Sequence, residues 1–205
     1  MSLFPMFAKL SGRRVVVVGG GEIAASKIDG LLLAGANVRI VSPALNTALG
    51  VLVRESKIEW SEKEFAPEDL NDAFLVIAAT SVPSVNEAVY RAADTRGLLC
   101  NAVDDTENCH FYYGSVVQRG DLQIAISTNG KSPALAQRLR KELETQFGPE
   151  YESWLEWLGA AREVLRASGA TQAQNKEVLH NLASRESFDR FLVEANRGPS
   201  TEGVE

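Results

Sequence analysis

Through the first hundred residues, short runs of β-branched and apolar residues alternate with stretches of helical period. This is the pattern of βαβ units whose parallel sheet is buried on both faces. Residues 13–18 predict a strand, and 22–34 a helix in which Ala24, Ile28, Leu31 and Leu32 share one face. Gly35 stops that helix. A second strand is expected at 37–41, an irregular stretch from Pro43, and a helix over about 46–56. A weaker strand at 58–61, a strongly apolar one at 74–79, a helix over 85–96 and a strand over 98–103 complete the series.

The rhythm then changes. Val116, Val117 and the run 122–126 predict further strands with no crossover helix between them, which sets a domain boundary near Gly114. Ser132-Pro133 supplies an N-cap hydroxyl and a proline at the first helical position, so a helix begins there and runs to Phe147 before Gly148-Pro149 ends it. The remainder reads as helical. Trp154, Trp157, Leu158, Ala161 and Leu165 fall on one face, and Phe188, Phe191 and Leu192 repeat the pattern. Such an aromatic stripe suits a core or a subunit contact better than a cofactor box. Residues 198–205 read as a frayed tail.

Composition narrows the function. The 205 residues are 45% hydrophobic and 23% charged, a balance that supports a packed core and argues against disorder. No apolar run approaches the ~18 residues that cross a bilayer. The N-terminus has neither a basic region nor a long apolar one to act as a leader, so a cytoplasmic protein is expected. Cys100 and Cys109 are the two cysteines and His110 and His180 the two histidines, which supports neither a disulfide scaffold nor a zinc site. No metal ligands are assigned. A net charge of -6 argues against a nucleic-acid or membrane-surface partner and toward a small-molecule ligand.

The motif that carries chemistry is Gly19-Gly20-Gly21-Glu22-Ile23-Ala24, a GxGxxA between the first strand and the first helix. Gly19 permits the tight turn, Gly21 lets the backbone approach a pyrophosphate, and Ala24 allows close packing of helix on sheet. The helix N-terminus adds free N–H groups and a positive dipole. A Rossmann-like dinucleotide site follows, with Gly19, Gly20, Gly21, Glu22 and Ile23 at the cofactor; a glycine-rich turn without a ligand is the alternative. Where an acid usually ends the second strand and holds the ribose, this chain has Ser42-Pro43-Ala44, and no arginine follows to receive a 2′-phosphate. NAD is therefore expected over NADP, its ribose held by Ser42 and main-chain groups of Pro43 and Ala44. Thr80, past the fourth strand, is expected to line the same cleft.

Five landmarks, in order, carry a family likeness: Leu3-Phe4-Pro5-Met6-Phe7, the glycine motif with Lys27, Ala78-Ala79-Thr80 followed by Val85-Asn86, Cys100-Asn101-Ala102-Val103-Asp104, and Ser127-Thr128-Asn129-Gly130-Lys131-Ser132-Pro133. Together they make residues 1–145 resemble precorrin-2 dehydrogenase, the N-terminal module of siroheme synthase, also found as a stand-alone protein. The resemblance implies oxidation of precorrin-2 to sirohydrochlorin, with a hydride passed to NAD and a proton lost from the macrocycle. The family's aspartate falls on Asp104, which implies a general base there, with Asp105 the adjacent alternative. Read alone, an acidic pair after a strand is a turn signal.

The family fold implies an NAD-binding domain at 1–113, a small mixed dimerisation region at 114–147 and a helical region at 148–205. A homodimer with its active site near the subunit contact is expected, although the helices would equally complete a monomer's core. Precorrin-2 carries eight carboxylates, which an acidic protein must meet with local cations, hydroxyls and helix N-termini. Asn101, Thr128, Asn129, Lys131 and Ser132 are the expected substrate contacts, with Arg138 on the helix that follows; N-capping beside a solvated basic face is the alternative. Some members also insert Fe²⁺ into sirohydrochlorin, so a ferrochelatase is the alternative activity. An NAD(H)-sensing regulatory module is the alternative of another class. Two departures stand out: Thr128 where siroheme synthases often have a second serine, and Gly114 where a proline is common. No methyltransferase module follows, so synthesis of precorrin-2 itself is not expected.

Overall fold

Four consecutive valines, Val15, Val16, Val17 and Val18, are almost wholly removed from solvent in the central strand β1 (Arg14–Val18). Because side chains alternate along a strand, Val15 and Val17 enter one apolar cluster and Val16 and Val18 another, on opposite faces of the sheet. The strand needs no polar side, since both of its faces are covered. The computed structural model describes residues 3–169 and 171–197. The tail expected to fray at 198–205 lies outside them.

Strands β2 (Asn37–Ser42), β3 (Glu59–Glu62), β4 (Leu75–Ala78) and β5 (Leu99–Ala102) join β1 in an all-parallel sheet of order β3-β2-β1-β4-β5. Helices α1 (Glu22–Leu33) and α2 (Thr47–Arg54) cover one face with Ala24, Ile28, Leu31 and Leu49. Helix α3 (Pro83–Thr95) covers the other with Val89 and Ala93, beside Leu70 of a 3₁₀ turn at Pro67–Leu70. Gly35, at φ +73°, ends α1 in the left-handed conformation that glycine adopts without strain. Helix α3 starts two residues before the expected Val85, because Pro83 is favoured at a first helical position. The 3₁₀ turn was not legible. It is pinned by Asp69, whose carboxylate takes the Ala66 N–H (2.9 Å) and pairs with Lys63 (2.6 Å).

The described residues fall into two compact units that part between Tyr113 and Gly114. In the second, β6 (Ser115–Arg119) and β7 (Leu122–Ile126) form an antiparallel hairpin followed by α4 (Pro133–Gln146), α5 (Glu150–Ala167), α6 (Gln172–Leu182) and α7 (Arg185–Arg197). Arg119 reaches from the hairpin to the carbonyls of Phe147 (2.9 Å) and Glu144 (3.1 Å), satisfying acceptors at the end of α4. The aromatic stripe is in part a core: Phe188 is buried between Tyr151 (4.5 Å) and Trp154 (4.8 Å).

Candidate functional site

The three glycines after β1 have different reasons to be glycine. Gly19 has φ +124°, and a Cβ there would lie 2.3 Å from the Ala79 carbonyl oxygen, so the chain crosses the exit of β4 in direct backbone contact. A Cβ on Gly20 would lie 1.9 Å from the Ala44 carbonyl oxygen and 2.6 Å from Ser42 Oγ. Gly20 is therefore required by the protein's own packing rather than by a ligand. Among the described residues nothing lies within 4 Å of the Cβ position of Gly21, which leaves an open face at the head of α1. Gly21 is the N-cap, and among the described residues no side chain caps the helix. The first-turn N–H groups, those of Glu22 and Ile23 among them, have no intrahelical acceptor and sit at the positive end of the dipole. This is the donor set a pyrophosphate needs, and the residues present fit it.

Asn46 ties this loop together. Its N–H donates to the Gly20 carbonyl (2.7 Å), its Nδ2 to the Glu22 carboxylate (2.8 Å), and its Oδ1 caps α2 by accepting from the Leu49 N–H (2.9 Å). An Asn before an apolar helix signals an N-cap in the sequence. The two bonds back to the glycine loop exist only once β2 lies beside β1.

At the exit of β2 the expected ribose contacts divide. Ser42 is 4% exposed, its hydroxyl donates to the Ala44 carbonyl (2.8 Å), and its own carbonyl accepts from Trp60 Nε1 (3.0 Å). Its hydroxyl is thus turned into the loop instead of toward a ligand. Pro43 and Ala44 are exposed at the strand's end. Thr80, beyond β4 and next to Gly19, is held by Asn86: Asn86 Oδ1 receives the Thr80 N–H (3.1 Å) and hydroxyl (2.8 Å), and its Nδ2 donates to the Thr80 carbonyl (3.1 Å). Asn86 is 6% exposed, and each of its polar atoms has a partner, as burial requires.

After β5 the chain makes a tight turn and comes back along the sheet edge. Asp104, in this turn, is exposed with φ +63°, and among the described residues its side chain has no hydrogen bond or ion pair. Asp105 is the opposite case. Its carboxylate accepts from the N–H groups of Glu107 (3.2 Å) and Asn108 (3.3 Å) and from Asn108 Nδ2 (2.6 Å). The Asn108 amide bond holds the Asp105 carboxyl below the usual range. Asn101, expected to bind substrate, is 6% exposed and donates to the Phe111 carbonyl (2.8 Å), closing the turn. It stands in register with Ile77 in the row of the apolar cluster, a polar residue where the sheet presents carbon. The thiols of Cys100 and Cys109 are both pushed up chiefly by burial, Cys100 to about 12. Lys27 of α1 lies 4.8 Å over the Tyr113 ring.

In the second unit, the loop 127–132 is organised by its own hydroxyls. Ser127 Oγ accepts from the Asn129 N–H (3.2 Å), Thr128 Oγ1 from the Ser132 N–H (3.2 Å), and Ser132 Oγ caps α4 by accepting from the Leu135 N–H (3.2 Å). As acceptors, these hydroxyls keep their own protons for donation elsewhere. Asn129 (φ +52°) and Gly130 (φ +74°) are left-handed, and Lys131 is exposed. Arg138 is paired with Glu142 (3.3 Å). Among the described residues, no three His, Cys, Asp or Glu side chains gather as a metal requires, and no helix is long and apolar enough to cross a membrane.

A family described as "Putative NAD(P)-binding" matches residues 6–115, more than half of the chain. The chain belongs to this family. A second, described as "Sirohaem biosynthesis protein central", matches residues 119–146 of this NAD(P)-binding protein. Siroheme synthase 1 of Yersinia enterocolitica is 49% identical over 205 residues, covering 100% of this chain and 43% of that protein. Siroheme synthase 1 of Serratia proteamaculans is 42% identical over 173 residues, covering 82% and 36%. The chain thus spans less than half the length of these curated relatives. Among solved structures, "SirC, precorrin-2 dehydrogenase" superposes with a TM-score of 0.79 at 26% identity, covering 95% of this chain and 100% of that one. The likeness read from the landmarks is borne out, and so is the expected α/β architecture with a small second sheet and C-terminal helices. A nicotinamide dinucleotide is the family's ligand class.

Proposed function

We propose that this protein oxidises precorrin-2 to sirohydrochlorin, using NAD. The observation that carries the reading is the likeness to a precorrin-2 dehydrogenase over 95% of this chain and the whole of the other. The open face at Gly21 and the uncapped head of α1 support it, since they would hold the pyrophosphate, with Thr80 and main-chain groups of Pro43 and Ala44 at the rest of the dinucleotide. NAD, when bound, supplies the acceptor for the hydride. Preference for NAD over NADP is favoured by the exit of β2, which carries no cation. The aligned residue of β3 is Glu62, whose charge would repel a 2′-phosphate, and neighbouring Lys63 is already paired with Asp69.

Asp104 is the base in this reading. An exposed carboxylate with no partner among the described residues can take the proton released from the macrocycle. Asp105 suits the task less, because the hydrogen bonds that tie it down also keep it ionised. Thr128, Asn129, Lys131 and Ser132 would meet substrate carboxylates through hydroxyl protons, an amide and an ammonium. Asn101 would act on substrate only through the turn it closes. The names of the relatives favour a second activity on the same macrocycle, insertion of Fe²⁺ as a substrate to give siroheme. The reading includes a homodimer, with 114–147 the dimerisation region and 148–205 the helical region. Exposed apolar side chains in the second unit, such as Val116 and Val164, suit a subunit contact. It includes a cytoplasmic address, where dinucleotide pools are regenerated.

The test is anaerobic incubation of the chain with precorrin-2 and NAD. NADH and the sirohydrochlorin spectrum should appear together in equal amounts. Binding of NAD without either product would leave a sensing module as the better description. Fe²⁺ added afterwards should convert the spectrum to that of siroheme; unchanged sirohydrochlorin would limit the activity to dehydrogenation.

A further inference from the structure

Strand β5 is an edge of the sheet, and the outward backbone groups of an edge strand need partners. The chain returning from the Asp104 turn supplies them. The Ala102 N–H donates to the Asn108 carbonyl (3.2 Å), the His110 N–H donates to the Cys100 carbonyl (2.8 Å), and Asn101 faces Cys109 across an isolated antiparallel bridge. One rung is different. The Cys100 N–H is taken not by a backbone carbonyl but by the His110 ring, at Nδ1 (3.1 Å). A backbone N–H can only donate, so Nδ1 carries no proton and the ring proton lies on Nε2. Nε2 in turn is 3.1 Å from Asp94 Oδ1 on α3, and the ring stacks on Tyr90 of the same helix at 4.8 Å and 24°. One imidazole therefore locks the returning chain to both β5 and α3.

We propose that His110, as the neutral Nε2–H tautomer, is a positioning residue for Asp104. The inference rests on the reading of Asp104 as the base. Among the described residues Asp104 has no bond of its own to aim its carboxylate, and its left-handed φ of +63° persists only where the surrounding chain imposes it. The incoming side of the turn is fixed by the Val103 N–H to the Ala78 carbonyl (2.9 Å). The outgoing side depends on the His110 clamp, with Asn101 behind it. His110 is not itself a catalytic residue, because both ring nitrogens are engaged by the protein.

The experiment compares His110→Leu, His110→Asn and Asp94→Ala in the full chain. Leu offers no acceptor to the Cys100 N–H, whereas the Asn side-chain oxygen can stand where Nδ1 was. For His110→Leu, kcat should fall by roughly 10- to 100-fold, the scale of a misaimed catalytic group. KM for precorrin-2 and NADH affinity, read by fluorescence titration without substrate, should stay within about twofold, because the glycine loop is untouched. His110→Asn should recover most of the lost kcat. Hydrogen exchange should show the Cys100 amide protected in wild type and Asn, and open in Leu. Should His110→Leu fail to fold, Asp94→Ala at an exposed position serves instead, with kcat lowered about fivefold for one lost hydrogen bond. Wild-type kcat in a folded Leu or Asp94→Ala variant overturns the proposal, as does a parallel loss of kcat, dinucleotide affinity and thermal stability that Asn does not restore. Asp104→Asn is run alongside: full turnover there rejects the base assignment, while the exchange of the Cys100 amide still judges the clamp.

Discussion

Asp104 and Asp105 are adjacent and chemically identical, yet the turn gives them opposite work. Asp105 holds the turn, accepting from two backbone N–H groups and the Asn108 amide, while Asp104 is left exposed and strained at φ +63°. No property of the sequence separates them, because the difference lies in which carboxylate faces back into the turn. The strain makes the assignment testable. Asp104→Gly should relieve about 1 to 2 kcal/mol of left-handed strain, offset in part by the extra ~0.5 to 1 kcal/mol of entropy that glycine loses on folding. Denaturant unfolding should therefore show stability equal to wild type or slightly above. Turnover should drop by about 100-fold or more, the usual worth of a general base. Asp104→Asn, which tolerates the same backbone, should lose activity to the same degree, and wild-type turnover in that variant would sink the role. Asn46, Asn86 and Asn101 show a related limit: three buried or half-buried amides hold the glycine loop, the Thr80 turn and the Asp104 turn, Asn86 within six residues of its partner but Asn46 through Glu22, which only folding brings near.

At the scale of elements, the strand–glycine–helix order was legible because it depends on local period and on glycine's backbone freedom. Its division of labour was not. A Cβ on Gly20 would enter the Ala44 carbonyl at 1.9 Å, a backbone atom that cannot swing away, whereas Gly21 faces open space at an ordinary φ of −93°. Gly20→Ala should cost about 1 to 3 kcal/mol or more in unfolding stability, as overpacking does. Gly21→Asp should leave stability within about 0.5 kcal/mol, as for a surface change. It should still weaken NADH binding tenfold or more by placing like charge at the phosphates. Unchanged NADH affinity in Gly21→Asp would show that the open face is not a ligand's. Helices α1 and α2 were visible from their apolar spacing and stop signals. The 3₁₀ turn at Pro67–Leu70 was not, because a single turn has no period to detect, and Asp69 defines it through a bond to Ala66 and a pair with Lys63.

At the scale of the whole molecule, the sheet order places the exits of β1 and β4 side by side, so that Gly19 touches Ala79 and the glycine loop opens at the carboxyl edge where ligands of such sheets bind. The same burial leaves a titration signature. Burial and the neighbouring Cys109 thiol raise Cys100 from 9.0 to about 12. A folded-state value above the unfolded one means that the stabilisation is complete below pH 9 and is lost as pH rises toward 12. The lowered Asp105 acts at the other limb, its contribution present above the ordinary carboxylate range and lost as pH falls through its folded value. Denaturant midpoints should decline on both sides of a neutral plateau, and Cys100→Ala should flatten the alkaline limb; an unchanged limb would rule out the thiol as its cause. The sequence by itself determined the alternation of strands and helices and the glycine turn, since each follows from periodicity and backbone preference within a few neighbouring residues. Only the tertiary structure decided which glycine has an open face, which aspartate is exposed, and that Ser42 and Asn101 turn inward. Those outcomes depend on the exact path of each loop, on which atoms the Ala44 carbonyl crowds and which carboxylate or hydroxyl turns back onto its own backbone, and neither periodicity nor residue type specifies that path.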